Sequence, residues 1–309
     1  MSAFVSSALR GIVFDIQRFC VHDGPGIRTT IFFKGCPLRC AWCQNPESIA
    51  SRPHLMLYGA LCARCGECAA VCGDLARAWS AAAADSPIPP RPQACRVCGE
   101  CAGACPAGAR RIAGREYSLE ELAAEALRDK PFYGAEGGVT LGGGEPLMQW
   151  PFARALAAAL RAEGIKIAID TSCAAPAEAI RELPAAADLV LADLKFADSE
   201  KHRRWTGAGN ERILEALRFL AAAMPGRLWI SVPVVPGAHD AEELARMAEF
   251  AAGLDGEPAV RLIPFHRIGE SKYEALGRPR PEFADAPLPA LLETAREAFR
   301  QAGARMLSD

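Results

Sequence analysis

Three cysteines, Cys36, Cys40 and Cys43, fall in a C-x3-C-x2-C spacing within one short segment of the chain. Three thiolates from such a segment can bind three irons of a cubic 4Fe–4S cluster, which leaves the fourth iron open to a substrate or cofactor. A closed structural zinc site needs four ligands. The histidines nearest to the triplet, His22 and His54, each lie more than ten residues from it. The triplet therefore favours an iron–sulfur cluster with one open position over zinc.

Eight further cysteines form two consecutive runs, each with the spacing C-x2-C-x2-C-x3-C. This is the spacing of bacterial ferredoxins, in which the fourth cysteine of a run binds the cluster of the other run. Two four-thiolate zinc sites are the alternative, which the tandem arrangement of two full ferredoxin runs disfavours. The predicted ligands are Cys62, Cys65, Cys68 and Cys105 for one 4Fe–4S cluster, and Cys95, Cys98, Cys101 and Cys72 for the other.

The rest of the composition indicates an ordinary globular protein with no nucleic-acid or membrane partner. The 309 residues carry a net charge of −2, so there is no basic excess for a polyanion. No apolar run reaches the length of a membrane span, and the start of the chain lacks the pattern of a signal peptide. Eleven of the 13 cysteines lie in the three clusters, which predicts reduced, metal-bound thiols and a cytoplasmic location. Cys20 and Cys173 fall outside the clusters, and no role is assigned to them.

An alternation of apolar strands and amphipathic helices is predicted to position these cysteines. Six strand-then-helix units argue for a parallel sheet, and right-handed crossovers would curve it into a partial (β/α)6 TIM-like barrel of α/β class. An earlier strand is predicted over 11–17. The six strands are predicted at 28–33, 138–141, 165–169, 188–193, 228–235 and 260–263, and the helices at 118–129, 149–163, 176–183, 209–223, 240–253 and 287–302. Residues 1–50 and 113–309 are assigned to the barrel, and 51–112 to an inserted ferredoxin-like domain with two 4Fe–4S clusters.

Polar residues follow several of the predicted strands and form a second group of candidates. Because the carboxyl ends of parallel strands meet at one face of a barrel, we expect these residues to lie close together. Taken singly, each is equally well explained as a helix cap or a surface ion pair. Their shared placement favours a site for a carboxylate, a cation or both. The residues are Gly142, Gly143, Gly144 and Glu145, then Asp170, Thr171 and Ser172, then Asp193 and Lys195, and finally His266.

These motifs resemble one family, the glycyl-radical-enzyme activating enzymes of the radical S-adenosylmethionine superfamily. The resemblance covers nearly the whole chain in order, and the insert is similar to that of the longer members with a ferredoxin-like domain. Ser231 is a departure, since many members carry an arginine at about this position, and no contact is assigned to it. The matching segments are 23–28, 35–47, 143–146, 193–195, 235–237 and 264–266.

The resemblance implies that S-adenosylmethionine binds the open iron of the Cys36, Cys40 and Cys43 cluster, with no catalytic side chain beyond the cluster and this cofactor. Asp23 lies in the segment expected to face the glycine loop of a partner enzyme. Asp170, Thr171 and Asp193 match a monovalent-cation site of some relatives. The implied cofactor contacts are Trp42, Asn45 and His266 near the adenine, Gly143, Gly144 and Glu145 near the methionine ammonium, Lys195 near the carboxylate, and Asp170.

The activity that the resemblance implies is the activation of a glycyl-radical enzyme. Reductive cleavage of S-adenosylmethionine would give a 5′-deoxyadenosyl radical, which removes a hydrogen atom from a backbone glycine of the partner. Three 4Fe–4S clusters are expected in a monomer, the inserted pair relaying electrons from a flavodoxin or ferredoxin. Two alternatives stay open: a radical S-adenosylmethionine enzyme acting on a different protein or a small molecule, and a plain iron–sulfur electron carrier. Nothing in the sequence names the partner.

Overall fold

The computed structural model describes residues 9–81, 88, 91–280, 282–283 and 287–307. The predicted domains also include 1–8, 82–87, 89–90, 281, 284–286 and 308–309, which lie outside the described residues. In the described part, the strands are Arg10–Cys20 (β1), Arg28–Phe33 (β2), His54–Leu57 (β3), Arg110–Ala113 (β4), Arg115–Ser118 (β5), Gly138–Gly143 (β6), Lys166–Thr171 (β7), Leu189–Asp193 (β8), Leu228–Val234 (β9) and Ala259–Pro264 (β10). The α-helices are Glu67–Ala70 (α1), Gly73–Ala81 (α2), Glu100–Gly103 (α3), Leu119–Leu127 (α4), Trp150–Ala162 (α5), Ala177–Ala186 (α6), Ser199–Thr206 (α7), Glu211–Ala223 (α8), Ala241–Ala252 (α9), Glu270–Ala275 (α10) and Leu288–Gln301 (α11).

The main layer of the protein is an eight-stranded sheet in the order β10-β9-β8-β7-β6-β2-β1-β5. Six of its strands, β2 and β6 to β10, run parallel to one another. β1 pairs antiparallel with β2, and β5 pairs antiparallel with β1. The predicted α/β class and the six parallel strands are confirmed. Within the described residues the sheet is not closed, because its edge strands β10 and β5 do not pair.

The helices cover one face of this sheet through apolar stripes at helical spacing. α5, for example, buries Phe152, Ala153, Leu156 and Leu160, which recur every three or four residues and so lie on one side of the helix. The ring of Phe152 lies 6.2 Å from that of Phe33 on β2. Burying each large side chain in this layer stabilises the fold by about 2 kcal/mol. The six helices predicted from amphipathic spacing are confirmed, each within a few residues of its predicted limits.

The segment between β3 and β4 contains a structural repeat. These two strands pair antiparallel, and the predicted insert boundary at 112 falls inside β4. The short helices α1 and α3 each follow a glycine with a left-handed backbone, Gly66 (φ 84°) and Gly99 (φ 88°). Two residues before each glycine, Arg64 (φ 55°) and Val97 (φ 59°) also have positive φ, which is uncommon for non-glycine residues and most unfavourable for a β-branched one. The two cysteine runs therefore share one unusual backbone conformation.

Arg28 joins the beginnings of β2 and β6 from inside the protein. Its side chain is almost fully buried, and its Nε donates to Thr140 Oγ1 at 2.7 Å. Its Nη2 donates to the carbonyl of Val139 at 2.8 Å, and its Nη1 to that of Pro25 at 3.2 Å. Burial lowers the pKa of Arg28 to about 10, so the guanidinium stays charged at neutral pH. Each bond satisfies a buried acceptor that would otherwise lack a partner.

We predict that Arg28→Met lowers the free energy of unfolding by about 3 kcal/mol, because several buried acceptors lose their donor at once. Arg154→Met is the matched control, since Arg154 pairs with Glu182 at the exposed surface, and it should cost less than about 1 kcal/mol. Urea unfolding of the anaerobically purified protein measures both. Similar losses in the two variants would show that the buried guanidinium contributes no more than a surface one.

Candidate functional site

The segment that carries the triplet, residues 34–45, is called the cysteine loop, and it follows β2 directly. Backbone hydrogen bonds hold it to other elements. The N–H of Gly35 donates to the carbonyl of Ser48 at 2.7 Å. At the end of α7, the carbonyls of Thr206 and Trp205 accept from the N–H groups of Arg39 at 2.7 Å and Ala41 at 2.9 Å. The loop is thereby positioned at the carboxyl ends of the parallel strands, as its place after β2 predicts.

Helix α10 supports the loop from the opposite side. The hydroxyl of Tyr273 donates to the carbonyl of Cys43 at 3.0 Å. The Nζ of Lys272 donates to Asn45 Oδ1 at 2.7 Å and pairs with Glu47 at 2.6 Å. No sequence pattern predicted these contacts, because they join residues more than 220 positions apart.

The segment before α10 also contacts the loop, through the side chain of Gln44. Its Nε2 donates to the carbonyl of His266 at 2.7 Å, and its Oε1 accepts from the N–H of Gly269 at 2.9 Å. The predicted adenine contacts Asn45 and His266 are therefore both attached to this corner of the site. The imidazole of His266 is exposed.

The three thiols lie close enough to affect one another electrostatically. Burial raises the pKa of Cys36 and of Cys43 to about 12, and the charge of a Cys40 thiolate acts in the same direction on both. Burial also raises the pKa of Cys40. Neighbouring thiolates in a desolvated position repel each other unless a cationic centre binds them. Three soft sulfur donors from one loop have the chemistry that an iron–sulfur cluster requires of its ligands.

Glu145 is fully buried, and its carboxylate joins the ends of β6 and β7. Oε1 accepts from the Thr171 hydroxyl at 2.8 Å and from the Leu147 N–H at 3.2 Å. Oε2 accepts from the hydroxyl of Ser172 at 2.6 Å and from its N–H at 2.9 Å. Burial raises the pKa of Glu145, and these hydrogen bonds oppose that shift. The side chain thus fixes the spacing of two strand ends at the site.

The neighbouring glycines allow two backbone segments to cross closely. A Cβ at Gly143 would lie 2.5 Å from the backbone N of Phe33, and Gly143 has φ 109°. A Cβ at Gly144 would lie 2.6 Å from the carbonyl oxygen of Gly35. A larger side chain at Gly143 would push β6 away from β2, and one at Gly144 would push the cysteine loop away from the end of β6.

Acidic and basic side chains from β7 and β8 meet beside the triplet. Asp193 and Lys195 form a half-buried ion pair. Burial and then the carboxylate of Asp193 raise the pKa of Asp170 to about 7. Although burial opposes its charge, Asp193, Cys40 and Cys36 raise the pKa of Lys195 above its ordinary value. The structure therefore brings these three predicted residues together, next to the thiols.

Trp42, in the cysteine loop, packs its side chain into an aromatic group. Its indole is 8% exposed, and its ring centroid lies 5.9 Å from those of Phe196 and His239 and 6.5 Å from that of Trp205. The sequence left packing and base stacking equally open for this residue, and the structure shows packing of the side chain. This packing anchors the middle of the loop.

Asp23 lies in the loop of residues 21–27, which joins β1 to β2 and is called the Asp23 loop. Asp23 Oδ2 accepts from the Thr30 hydroxyl at 2.6 Å, and its carbonyl accepts from the Thr140 hydroxyl at 2.7 Å. The charge of Asp23 also raises the pKa of Asp170, so the two carboxylates are near one another. Asp23 therefore belongs to the same interior as the strand-end residues.

The cysteines of the two runs lie together in the segment between β3 and β4. One cavity is lined by Cys72, Cys95, Cys98 and Cys101, the four thiols predicted to share a cluster. Burial raises the pKa of Cys101, and the charges of Cys95, Cys72 and Cys68 act in the same direction. Of the other set, Cys68 is buried, Cys65 is exposed, and Cys62 and Cys105 are half-buried. The 13 cysteines all lie within the described residues, and none of them forms a disulfide.

Lys34 was missed by the sequence interpretation. It is fully buried at the start of the cysteine loop, where its Nζ donates to the carbonyl of Glu47 at 2.5 Å and lies 3.4 Å from His54 Nδ1. Burial lowers the pKa of Lys34 to about 8, and Glu47 opposes that shift. The only signal in the sequence is a lysine next to Gly35 at the end of an apolar strand, which is too common to indicate such a role.

Comparison with known proteins places the chain in a family. The Radical SAM superfamily model, where SAM is S-adenosylmethionine, matches residues 30–251, which include the cysteine loop. The benzylsuccinate synthase activating enzyme of Thauera aromatica is 41% identical over 278 residues, covering 86% of this chain and 82% of the relative. The isethionate sulfite-lyase activating enzyme of Desulfovibrio desulfuricans is 39% identical over 279 residues, covering 88% of each chain. This chain belongs to the radical SAM superfamily and to its activating enzymes.

The fold of this radical SAM enzyme is similar to that of a solved structure. Streptococcus suis SuiB bound to precursor peptide SuiA has a TM-score of 0.50 at 13% identity, covering 88% of this chain and 45% of that chain. The likeness is one of fold alone. Membership in the superfamily means that the enzyme uses a 4Fe–4S cluster and SAM. Among the described residues, every helix is too short or too polar to cross a membrane.

We predict that Glu145→Gln destabilises the enzyme by about 2 kcal/mol. The carboxylate accepts hydrogen bonds through both oxygens, and in glutamine one of them is replaced by an NH2 group, which is itself a donor. Glu178→Gln, an exposed change at the start of α6, is the matched control and should stay within about 0.5 kcal/mol of the wild type. Thermal unfolding under anaerobic conditions gives both values. Equal stabilities of the two variants would contradict the role of Glu145 in joining the strand ends.

Proposed function

We propose that this radical SAM enzyme activates a glycyl-radical enzyme. The observation that carries the proposal is the 41% and 39% identity to two activating enzymes over most of the chain. When bound, the cluster and SAM supply the chemistry: a reducing electron cleaves SAM to methionine and a 5′-deoxyadenosyl radical, which takes a hydrogen atom from a glycine Cα of the partner. The protein's own residues bind the cofactors, orient them and exclude water. This identity favours activation over the plain electron carrier.

Cys36, Cys40 and Cys43 are proposed to hold the SAM-binding cluster. Two observations support this assignment. The three thiols affect one another's pKa, and the cysteine loop contains no fourth cysteine. The charge of Lys195 lowers the pKa of Cys36 and Cys40 against the effect of burial, which favours the thiolates that iron needs. No general base is assigned, since removal of a hydrogen atom does not require one.

The residues around the triplet are proposed to bind SAM. Lys195 is suited to pair with the methionine carboxylate, and the glycine segment beside the cysteine loop is proposed to lie next to the ammonium. Glu145 and Trp42 would act by holding the surrounding strand ends and loop, since their side chains are buried. Asp170, Thr171 and Asp193 are proposed to bind a monovalent cation. The full set of residues proposed to bind SAM, by direct contact or, for Trp42 and Glu145, by holding the surrounding backbone in place, is Trp42, Asn45, Gly143, Gly144, Glu145, Asp170, Lys195 and His266.

Residues 51–112 are proposed to be a ferredoxin-like domain inserted into the barrel formed by 1–50 and 113–309. The repeated backbone conformation of the two runs supports two matching cluster sites, which brings the number of 4Fe–4S clusters to three. The cavity shared by Cys72, Cys95, Cys98 and Cys101 supports the exchange of the fourth ligand between runs, with Cys62, Cys65, Cys68 and Cys105 as the other set. We infer that these clusters relay electrons from a flavodoxin or ferredoxin.

The partner is proposed to present its glycine near Asp23, in the interior that also contains Asp170. The two relatives are named for different partner enzymes, so the sequence identity alone does not select one.

We propose a monomer that acts in the cytoplasm, where reductants keep thiols from forming disulfides.

The first experiment tests the triplet. Wild-type enzyme incubated anaerobically with SAM and dithionite should form 5′-deoxyadenosine, and a candidate glycyl-radical enzyme from the same genome should gain a glycyl radical by electron spin resonance. Changing Cys36, Cys40 and Cys43 together to alanine should abolish both products and remove about four of about twelve irons. Cys20→Ala, outside the clusters, is the control and should retain the iron content and the formation of 5′-deoxyadenosine. Formation of 5′-deoxyadenosine by the triple variant would refute the assignment.

The second experiment tests the electron relay. Changing Cys65 and Cys98 to alanine removes one proposed ligand from each inserted cluster. Flavodoxin-driven formation of 5′-deoxyadenosine should fall at least about tenfold, since electron transfer falls steeply without an intermediate carrier, whereas dithionite-driven formation should persist. Unchanged flavodoxin-driven activity in the folded variant would show that these clusters do not carry the electron.

A further inference from the structure

Arg261 connects the edge strand β10 to the Asp23 loop on the other side of the barrel interior. Its Nε donates to Ser231 Oγ on β9 at 2.8 Å, and its Nη1 donates to the carbonyl of His22 at 2.5 Å. Arg261 and Ser231 are register partners in the parallel pairing of β10 with β9. His22 belongs to the connection between β1 and β2, which lie at the other end of the open sheet. The half-buried guanidinium of Arg261 therefore links β9 and β10 to the β1–β2 connection on the side where the sheet is open.

The Asp23 loop depends on such polar anchors because it buries little apolar surface. Val21 is 60% exposed and Ile27 is 36% exposed. On the side of β2 and β6 the loop is held through Asp23, by the hydroxyls of Thr30 and Thr140. A segment with few buried apolar contacts has low local stability, so each anchor has a large effect on its motion.

The small side chain at Ser231 leaves space for the guanidinium of Arg261. Ser231 is fully buried, and its hydroxyl accepts from Arg261 Nε. The positive charge of Arg261 also acts on Asp170, where it opposes the effects of burial and of Asp193 on the pKa. The arginine therefore lies among the interior carboxylates and compensates part of their charge. The half-buried side chain of Arg261 has two hydrogen-bond acceptors and a nearby carboxylate. It is therefore held in one position, unlike a mobile arginine at the surface.

We propose that Arg261 is a positioning residue that clasps the Asp23 loop across the open side of the sheet and so fixes Asp23 in the interior. The consequence for the partner's glycine rests on the proposed function, because it assumes that this glycine enters beside Asp23. The clasp itself rests only on the contacts of Arg261 with His22 and Ser231. Loss of the clasp should loosen one end of the loop and leave the other end bound to β2 and β6.

Hydrogen–deuterium exchange of the anaerobic holoenzyme tests the clasp. In Arg261→Gln, peptides that cover residues 21–27 should exchange at least about fivefold faster, while those that cover β7 stay unchanged. Arg227→Gln is the matched control, since Arg227 also donates to two backbone carbonyls, but to those of Pro184 and Ala187 and not to one in residues 21–27. The control should not alter exchange in 21–27. Unchanged exchange in Arg261→Gln, or an equal increase throughout β9 and β10, would overturn the proposal.

A second measurement tests the consequence for the reaction. With a partner identified by its glycyl radical, Arg261→Gln should consume at least about fivefold more SAM per radical formed, since a mispositioned acceptor lets the deoxyadenosyl radical be quenched elsewhere. The ratio of 5′-deoxyadenosine to glycyl radical gives this number, and Arg227→Gln should keep the wild-type ratio. A wild-type ratio in Arg261→Gln would refute the link to the glycine. If no partner gains a radical with the wild-type enzyme, the proposed function fails, and hydrogen exchange still decides the clasp.

Discussion

The convergence of three thiols on one short loop is the constraint on which the rest of the site depends. Ordering a loop residue costs about 1–2 kcal/mol of conformational free energy, and buried neighbouring thiolates add repulsion. A single hydrogen bond returns only about 1 kcal/mol, so many anchors are needed at once. The end of α7 and the hydroxyl of Tyr273 on α10 supply them from two sides, and Trp42 adds aromatic packing from beneath. The parallel sheet and its connections bring these distant anchors to one place.

The interior beside the triplet is polar, in contrast to the apolar layer between sheet and helices. Buried charges are tolerated when they are paired or hydrogen-bonded, as three of the charged groups here are. Asp193 pairs with Lys195, and Glu145 accepts four hydrogen bonds from β7 and its own turn. Such an interior suits a charged, zwitterionic cofactor better than an apolar ligand. The stability lost by burying these groups is offset by the apolar contacts of the outer helices, such as those of α5.

The parallel strands, the amphipathic helices and the cysteine spacings were predictable from local sequence patterns, because each depends on residues that are close together in the chain. β5 could not be predicted in the same way, because Arg115–Ser118 is short and polar and forms a strand only by pairing with β1. α10 has only six residues, and its packing on the cysteine loop becomes visible only in three dimensions. The engagement of Glu145 with Ser172, and that of Arg261 with His22, join residues far apart in sequence. Tertiary geometry, not local preference, fixes these contacts.

The central claim is that the Cys36, Cys40 and Cys43 cluster keeps one iron open for SAM. Electron–nuclear double resonance of the reduced enzyme, with SAM labelled with ¹⁵N in the amino group and ¹⁷O in the carboxylate, tests it directly, because other clusters in the chain give no coupling to these nuclei. We expect hyperfine coupling from both labels, and loss of this coupling when the three cysteines are changed to alanine. Absence of both couplings in wild-type enzyme that binds SAM, or a zinc ion with four ligands at the triplet, would contradict it.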